Sequence, residues 1–161
     1  MRVLIIDGHD IFQQGLEKIL QCEPGIEVVS HCGALWEKAV IENKPDIVII
    51  DICLEQINPF ELIRQVLQSE PNIKFVVLTY SELRKDLISS FEAGVSAYIS
   101  KHIDIKNLIQ VINRVSRGGS NHLPSIEKRF HHQDAYSRRA FKRCTQGNSF
   151  NQTGTSGYVS G

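Results

Sequence analysis

The stretch Ile47-Val48-Ile49-Ile50-Asp51 consists of four large apolar residues followed by an acid. Such a short, uniformly apolar run is typical of a strand that is covered on both faces of a parallel sheet. Three similar runs occur elsewhere, and each ends close to a polar side chain. They are Val3–Ile6 before Asp7, Phe75–Leu78 before Thr79, and Ala97–Ile99 shortly before Lys101. These runs predict strands whose carboxyl ends carry chemically active groups.

Segments with helical periodicity separate the strands, and a fifth strand is predicted at Ile26–Val29. The apolar positions of the five helices begin at Ile11, Leu35, Leu62, Leu83 and Ile105. Alternating strands and helices with right-handed crossovers predict an α/β fold, a doubly wound five-stranded parallel sheet (βα)5 of the flavodoxin type. The strand at residues 47–50 is the most apolar, so we expect it in the centre of the sheet.

In doubly wound sheets, ligands bind at the carboxyl ends of the strands. This rule selects Asp7, Asp51, Thr79 and Lys101. Two carboxylates, a hydroxyl and an ammonium suit phosphoryl chemistry, with the central Asp51 as nucleophile and Mg²⁺ held partly by carboxylates. Each residue alone also has a simpler interpretation: the acids as helix caps, Thr79 as a strand-end hydrogen-bonding group, Lys101 as a solvated charge.

The chain of 161 residues has 18 basic and 18 acidic side chains, but they are unevenly distributed. Residues 1–120 have a net charge of −4, and residues 121–161 have a net charge of +4. Fourteen of the last 17 residues are Ser, Thr, Gly, Asn or Gln, so we expect a mostly disordered C-terminal tail. No apolar run approaches the roughly 18 residues of a membrane span, and an acid at position 7 argues against a secretory signal, so we expect a cytoplasmic protein without membrane contact.

Taken together, these motifs resemble the receiver domain of bacterial two-component response regulators. More narrowly, they are similar to the LuxR/NarL/FixJ-type subfamily, whose output is a helix-turn-helix domain. The matching stretches are residues 3–9, 44–51, 76–79 and 93–101, which read VLIIDGH, KPDIVIID, VVLT and AGVSAYISK. The resemblance covers about residues 1–124 and implies a receiver domain at residues 1–119.

The resemblance implies a role for each strand-end residue. Asp51 would accept a phosphoryl group from a sensor histidine kinase, and Asp7, Asp51 and the backbone carbonyl of Cys53 would hold Mg²⁺. Thr79 and Tyr98 would be the switch pair, and Lys101 would bind the phosphate. Such a protein is a phosphorelay signalling protein and not an enzyme. Phosphorylation would repack a dimerisation surface with apolar residues at Leu87, Phe91, Ile105 and Ile109.

Three departures from the family pattern affect this site. Gly8 stands where the family has a second acid, so we expect weakened Mg²⁺ binding, unless Asp10 or Glu55 compensates. The turn after the phosphoacceptor lacks the usual Met-Pro-Gly sequence. Tyr80 replaces a small residue after the switch threonine and is expected to narrow access to Asp51.

The C-terminal part resembles the family's output domain only weakly. Residues 120–136 are interpreted as a linker and residues 137–161 as a truncated, degenerate LuxR-type helix-turn-helix remnant. The chain ends where the recognition helix would begin, so DNA binding is doubtful and we assign no DNA-binding residue.

Several functions remain open at this point. The first is a phosphorylatable receiver, and the second is a degenerate receiver that binds a kinase or pairs with intact regulators without phosphorylation. The third is a sequence-specific DNA-binding transcriptional regulator. The fourth is a haloacid-dehalogenase-like phosphohydrolase, whose signature needs two Asp separated by one residue; the sequences Asp7-Gly8-His9 and Asp51-Ile52-Cys53 lack the second.

Overall fold

The computed structural model describes residues 1–31, 36–54, 58–119 and 121–122. The strands are β1 Arg2–Ile6, β2 Glu27–His31, β3 Ile47–Ile50, β4 Lys74–Thr79, β5 Ala97–Ser100 and β6 Asn121–His122. The helices are α1 Asp10–Gln21, α2 Trp36–Asn43, α3 Pro59–Ser69, α4 Arg84–Glu92 and α5 Ile105–Ser116. The expectations for Glu55, for most of the linker and for the helix-turn-helix remnant at residues 137–161 lie outside the described residues.

The strands form one sheet in the order β2-β1-β3-β4-β5-β6, and every neighbouring pair is parallel. The predicted five-stranded doubly wound fold is therefore confirmed, with β3 between β1 and β4 as its apolarity indicated. The two-residue strand β6 was not predicted, because two residues are too few to show a periodicity.

Two apolar clusters cover the two faces of the sheet, because successive side chains of a strand point to opposite sides. Leu4, Val48 and Val77 face the cluster that includes residues of α2 and α3. Val3, Ile49 and Leu78 face the cluster formed with α1 and α5. All four residues of β3 are at most 2% exposed, which explains why its sequence is apolar without alternation.

The apolar residues expected to form a partner surface differ in their exposure to solvent. Of the residues expected to form a partner surface, Leu87 and Phe91 pack against the first cluster and Ile109 packs against the second. Ile105 is 38% exposed, and Ile11 at the start of α1 is 89% exposed. No helix among the described residues is both long and apolar enough to cross a membrane.

A glycine ends α4 and sets the path into β5. Gly94 has φ +97°, a conformation that a side chain makes costly, and a Cβ there would lie 2.7 Å from Leu67 Cδ1. The backbone amide of Ser96 then donates to the Phe75 carbonyl at 2.8 Å, which starts the pairing of β5 with β4. This turn positions the carboxyl end of β5 beside the ends of the other strands.

Candidate functional site

The carboxyl ends of β1, β3, β4 and β5 meet at one edge of the sheet. Ile6 is paired with Ile50, so Asp7 and Asp51 leave neighbouring strands at the same level. Thr79 is the last residue of β4, and Lys101 directly follows β5. Together, the four predicted residues are between 0% and 7% exposed. The structure thus brings them into one buried pocket.

The strand ends share a local hydrogen-bond pattern. Asp7 Oδ1 accepts from the backbone amide of His9 at 2.8 Å, and Asp51 Oδ1 accepts from the amide of Cys53 at 3.1 Å. The Thr79 hydroxyl accepts from the amide of Ser81 at 3.2 Å. Short polar side chains favour this turn, in which residue i binds the amide of residue i+2. In both acids the turn occupies Oδ1 and leaves Oδ2 facing the pocket.

Lys101 joins the two acids through its ammonium group. Its Nζ lies 2.7 Å from Asp7 Oδ2 and 2.6 Å from Asp51 Oδ2, and its side chain is fully buried. The same Nζ lies 4.5 Å from the centroid of the Phe12 ring, within range of a cation–π contact. One positive charge thus faces two negative charges in a buried setting, which leaves the trio with a net charge of −1.

The ion pair between Lys101 and Asp51 stabilises the charged form of each group. Burial acts to raise the pKa of Asp51, but the hydrogen bonds from Lys101, the Cys53 amide and the Thr79 hydroxyl outweigh it and lower that pKa below 3.8. Burial acts to lower the pKa of Lys101, but its bonds to Asp51 and Asp7 raise that pKa above 10.5. Asp51 is therefore a carboxylate throughout the neutral range, as a nucleophile must be.

Two more side chains lie beside the acids: His9, which was not assigned a role from the sequence, and Tyr80, which was expected to narrow access to Asp51. His9 Nδ1 lies 3.1 Å from Asp7 Oδ1 and 3.8 Å from Asp51 Oδ2, and the His9 side chain is 59% exposed. Tyr80 is 52% exposed, stacks edge-on against His102 at 5.3 Å, and lies with its ring centroid 5.3 Å from Lys101 Nζ. The turn after Asp7 places His9 beside the pocket, because it folds residue i+2 over residue i. An Asp followed two residues later by His is the sequence feature that could have indicated this contact.

The predicted switch pair meets at Ser81. The Thr79 hydroxyl binds the Ser81 amide, and the Tyr98 hydroxyl donates to the Ser81 carbonyl at 3.0 Å. Tyr98 is only 3% exposed, and burial raises its pKa to about 12, so this hydroxyl keeps its proton at neutral pH. Ser81 Oγ in turn donates to Asp86 Oδ2 at 2.5 Å, in the first turn of α4. Ser81 had no role in the sequence prediction.

The acidic part of the pocket suits a divalent cation. The residues Asp7, His9 and Asp51 each offer one ligand atom, and these atoms lie within 4.8 Å of one another. At Gly8 an added Cβ would meet only Leu54 Cδ2 at 3.8 Å, so this position contributes open space and no ligand. Two carboxylates fit the usual share of protein ligands for Mg²⁺, which completes its octahedron with waters and phosphate oxygens.

Comparison with known families gives one match that covers most of the chain. Residues 3–113 match the family of the response regulator receiver domain. The chain is 32% identical over 129 residues to the transcriptional regulatory protein DegU of Brevibacillus brevis, a match that covers 78% of this chain and 54% of DegU. It is 32% identical over 128 residues to the response regulator GacA of Pseudomonas aeruginosa, covering 78% of this chain and 60% of GacA.

Solved structures agree with these matches. A LuxR-family two-component response regulator from Aurantimonas sp. superimposes with a TM-score of 0.73 and 26% identity, covering 79% of this chain and 92% of that chain. The isolated receiver domain of RcsB from Salmonella enterica, with phosphomimetic BeF3⁻, superimposes with a TM-score of 0.69. At 19% identity, over 80% of this chain and 96% of that one, RcsB shows the shared fold alone. The chain spans a little over half the length of the curated relatives DegU and GacA.

The variant Lys101→Met is expected to lower the free energy of unfolding by about 3–5 kcal/mol at neutral pH, because it leaves two buried carboxylates without their cation. Without Lys101, burial raises the pKa of Asp51 above that of the unfolded chain. The loss should therefore be smaller at about pH 4.5, where the protonated carboxyl is favoured, and grow as the pH rises. Urea unfolding at both pH values measures the difference.

The matched control is Lys106→Met, since Lys106 is exposed in α5. It should change the unfolding free energy by less than about 0.5 kcal/mol at either pH. If Lys101→Met changed the unfolding free energy as little as Lys106→Met does, the ionic arrangement described above would be contradicted.

Proposed function

Because the chain belongs to the response regulator receiver domain family, as its match over residues 3–113 shows, we propose that it accepts a phosphoryl group on Asp51 and responds through the loop that follows β4. The observation that carries this proposal is the position of Asp51. It is a buried, ionised carboxylate at the end of the central strand, hydrogen-bonded to a buried lysine. No other function class considered from the sequence gains support from the site.

The proposed reaction is a transfer between two nucleophiles. The Asp51 carboxylate attacks the phosphorus of a phosphohistidine on a sensor kinase, an O–P bond forms, and the P–N bond to the histidine breaks. The product is an aspartyl phosphate, and the electron pair of the broken bond stays on the kinase imidazole. We propose that this transfer serves signalling and not catalytic turnover.

The charge of the pocket must change during this transfer. The acyl phosphate carries about −1.5 to −2 charges in place of the −1 of the Asp51 carboxylate, so a trio that already has a net charge of −1 becomes more negative. Receiver domains bind Mg²⁺ at such an acidic pocket, and we propose that Asp7, Asp51 and the carbonyl of Cys53 hold it here. When bound, Mg²⁺ supplies positive charge beside the incoming phosphoryl oxygens. Lys101 then exchanges its bond to Asp51 for one to a phosphoryl oxygen.

The response follows from the hydrogen bonds of Ser81. We propose that the Thr79 hydroxyl, which already binds Asp51, moves toward a phosphoryl oxygen and thereby lengthens the bond that it accepts from the Ser81 amide, 3.2 Å in this structure. Ser81 is also held by Tyr98 and holds Asp86 of α4, so its displacement is passed to both. We propose that this route changes the surface at α4, β5 and α5, through which the chain pairs with itself or with intact regulators.

The proposed partners are a sensor histidine kinase and a second receiver, and the proposed location is the cytoplasm, where such kinases present their phosphohistidine. We do not assign sequence-specific DNA binding, which the family's output domains perform, to residues 1–119. The alternative is a degenerate receiver that binds its partners without being phosphorylated. The labelling experiment below distinguishes the two.

Incubation with a small acyl phosphate and Mg²⁺ is expected to label the full chain at one site. Asp51→Asn should abolish labelling, because an amide is no nucleophile, and Asp7→Asn should reduce it at least about tenfold through weaker metal binding. Phosphate-affinity electrophoresis measures the labelled fraction.

Asp104→Asn is the matched control, because Asp104 is an exposed helix cap whose role Asn also fills. It should label like the wild type. Equal labelling of Asp51→Asn and Asp104→Asn, or none of the wild type, would refute Asp51 as the acceptor.

The variant Ser81→Ala tests the response route separately. It keeps the backbone bonds to Thr79 and Tyr98 but loses the hydroxyl that binds Asp86. We expect normal labelling, while the phosphorylation-dependent change in amide hydrogen exchange of residues 84–92 falls by roughly half or more. Ser116→Ala, on the exposed side of α5, is the control. If both variants show the wild-type change, α4 does not receive the signal through this hydroxyl.

A further inference from the structure

His9 lies beside the position where Gly8 leaves the acid pocket one ligand short. Its Nδ1 lies 3.1 Å from Asp7 Oδ1 and 3.8 Å from Asp51 Oδ2. Two ligands that share an ion at about 2.1 Å lie about 3.0 Å apart at right angles and about 3.4 Å apart at tetrahedral angles. The 3.1 Å distance from His9 Nδ1 to Asp7 Oδ1 falls within this range, and the 3.8 Å distance to Asp51 Oδ2 is longer. All three donor atoms lie within 4.8 Å of one another, so side-chain adjustments of an ångström or less would bring His9 Nδ1 to ligand spacing from both acids.

The surroundings favour an additional positive charge. Asp7 and Asp51 are 6% and 2% exposed, and Lys101 neutralises only one of their two charges. An uncompensated buried charge is costly, and a bound cation removes that cost. The His9 ring is 59% exposed, so an ion beside it has an open route from solvent.

The chemistry of the donor set then selects the ion. Carboxylates suit Mg²⁺ and Mn²⁺, whereas imidazole suits the later first-row metals, whose affinity for such ligands rises from Mn²⁺ through Co²⁺ to Cu²⁺. A site with an imidazole in place of a third oxygen ligand loses affinity for Mg²⁺ and gains affinity for those metals.

We infer that Asp7, His9 and Asp51 form a mixed carboxylate–imidazole site that prefers a later first-row transition dication, of the class of Co²⁺ and Zn²⁺, over Mg²⁺. The inference extends the proposed function by assigning the metal of the same pocket, yet metal binding is measured without phosphorylation. A failure of Asp51 labelling therefore leaves it standing, and a failure of metal selectivity leaves the proposed function standing.

The experiment compares Co²⁺ and Mg²⁺ binding to the full chain and its variants by calorimetry, with the visible absorption of Co²⁺ as a report on its ligands. His9→Ala should weaken Co²⁺ binding at least about tenfold and leave Mg²⁺ binding within about twofold. His102→Ala, which removes another exposed imidazole near the pocket, should change neither. Circular dichroism checks that each variant is folded.

One further variant tests the role of position 8. Gly8→Asp has room for a Cβ, which would meet only Leu54 Cδ2 at 3.8 Å, and it should raise the Mg²⁺ affinity, so that the preference for Co²⁺ over Mg²⁺ becomes smaller. The inference is overturned if His9→Ala binds Co²⁺ like the wild type, as expected of a His9–Asp7 hydrogen bond alone.

Discussion

The Lys101 ammonium group, buried between the carboxylates of Asp7 and Asp51, is the interaction on which the rest of the site depends. Neighbouring strands of a sheet lie about 4.8 Å apart, so the lysine that follows β5 reaches the aspartate that follows β3 across the width of β4, a distance of about 10 Å between the two strands. This span is possible because the strands are parallel, so that their carboxyl ends lie at one edge, and because only β4 separates β3 from β5.

Such an arrangement is poorly suited to stabilising a fold. Desolvation of three charged groups offsets much of their attraction, and a buried pair is often no better than apolar residues of the same size. The stability of the domain comes instead from the two apolar clusters on either face of the sheet. The ionic trio keeps the Asp51 carboxylate ionised, and under the proposed function the Lys101 ammonium would move from it to an incoming phosphoryl group.

The sequence was sufficient for the fold and for the residues at the strand ends, because both follow from short-range patterns. The uniform apolarity of residues 47–50 indicated the central strand, and the polar residue after each run indicated the edge where ligands bind. The sequence did not predict which groups would touch. His9 approaches Asp7, and Thr79 and Tyr98 both bind Ser81. These contacts depend on turns and rotamers, which produce no periodic pattern in the sequence. The resemblance to receivers identified Gly8 as a missing ligand, but only the geometry showed an imidazole beside the gap.

The central claim is that Asp51 itself forms the acyl phosphate, and reductive trapping tests it most directly. Borohydride converts an aspartyl phosphate into homoserine, and peptide mass spectrometry then locates the converted residue. We expect homoserine at position 51 and nowhere else, in an amount that grows with exposure to the phosphodonor. Homoserine at another acid, or a phosphoryl group that resists borohydride and maps to His9, would contradict it.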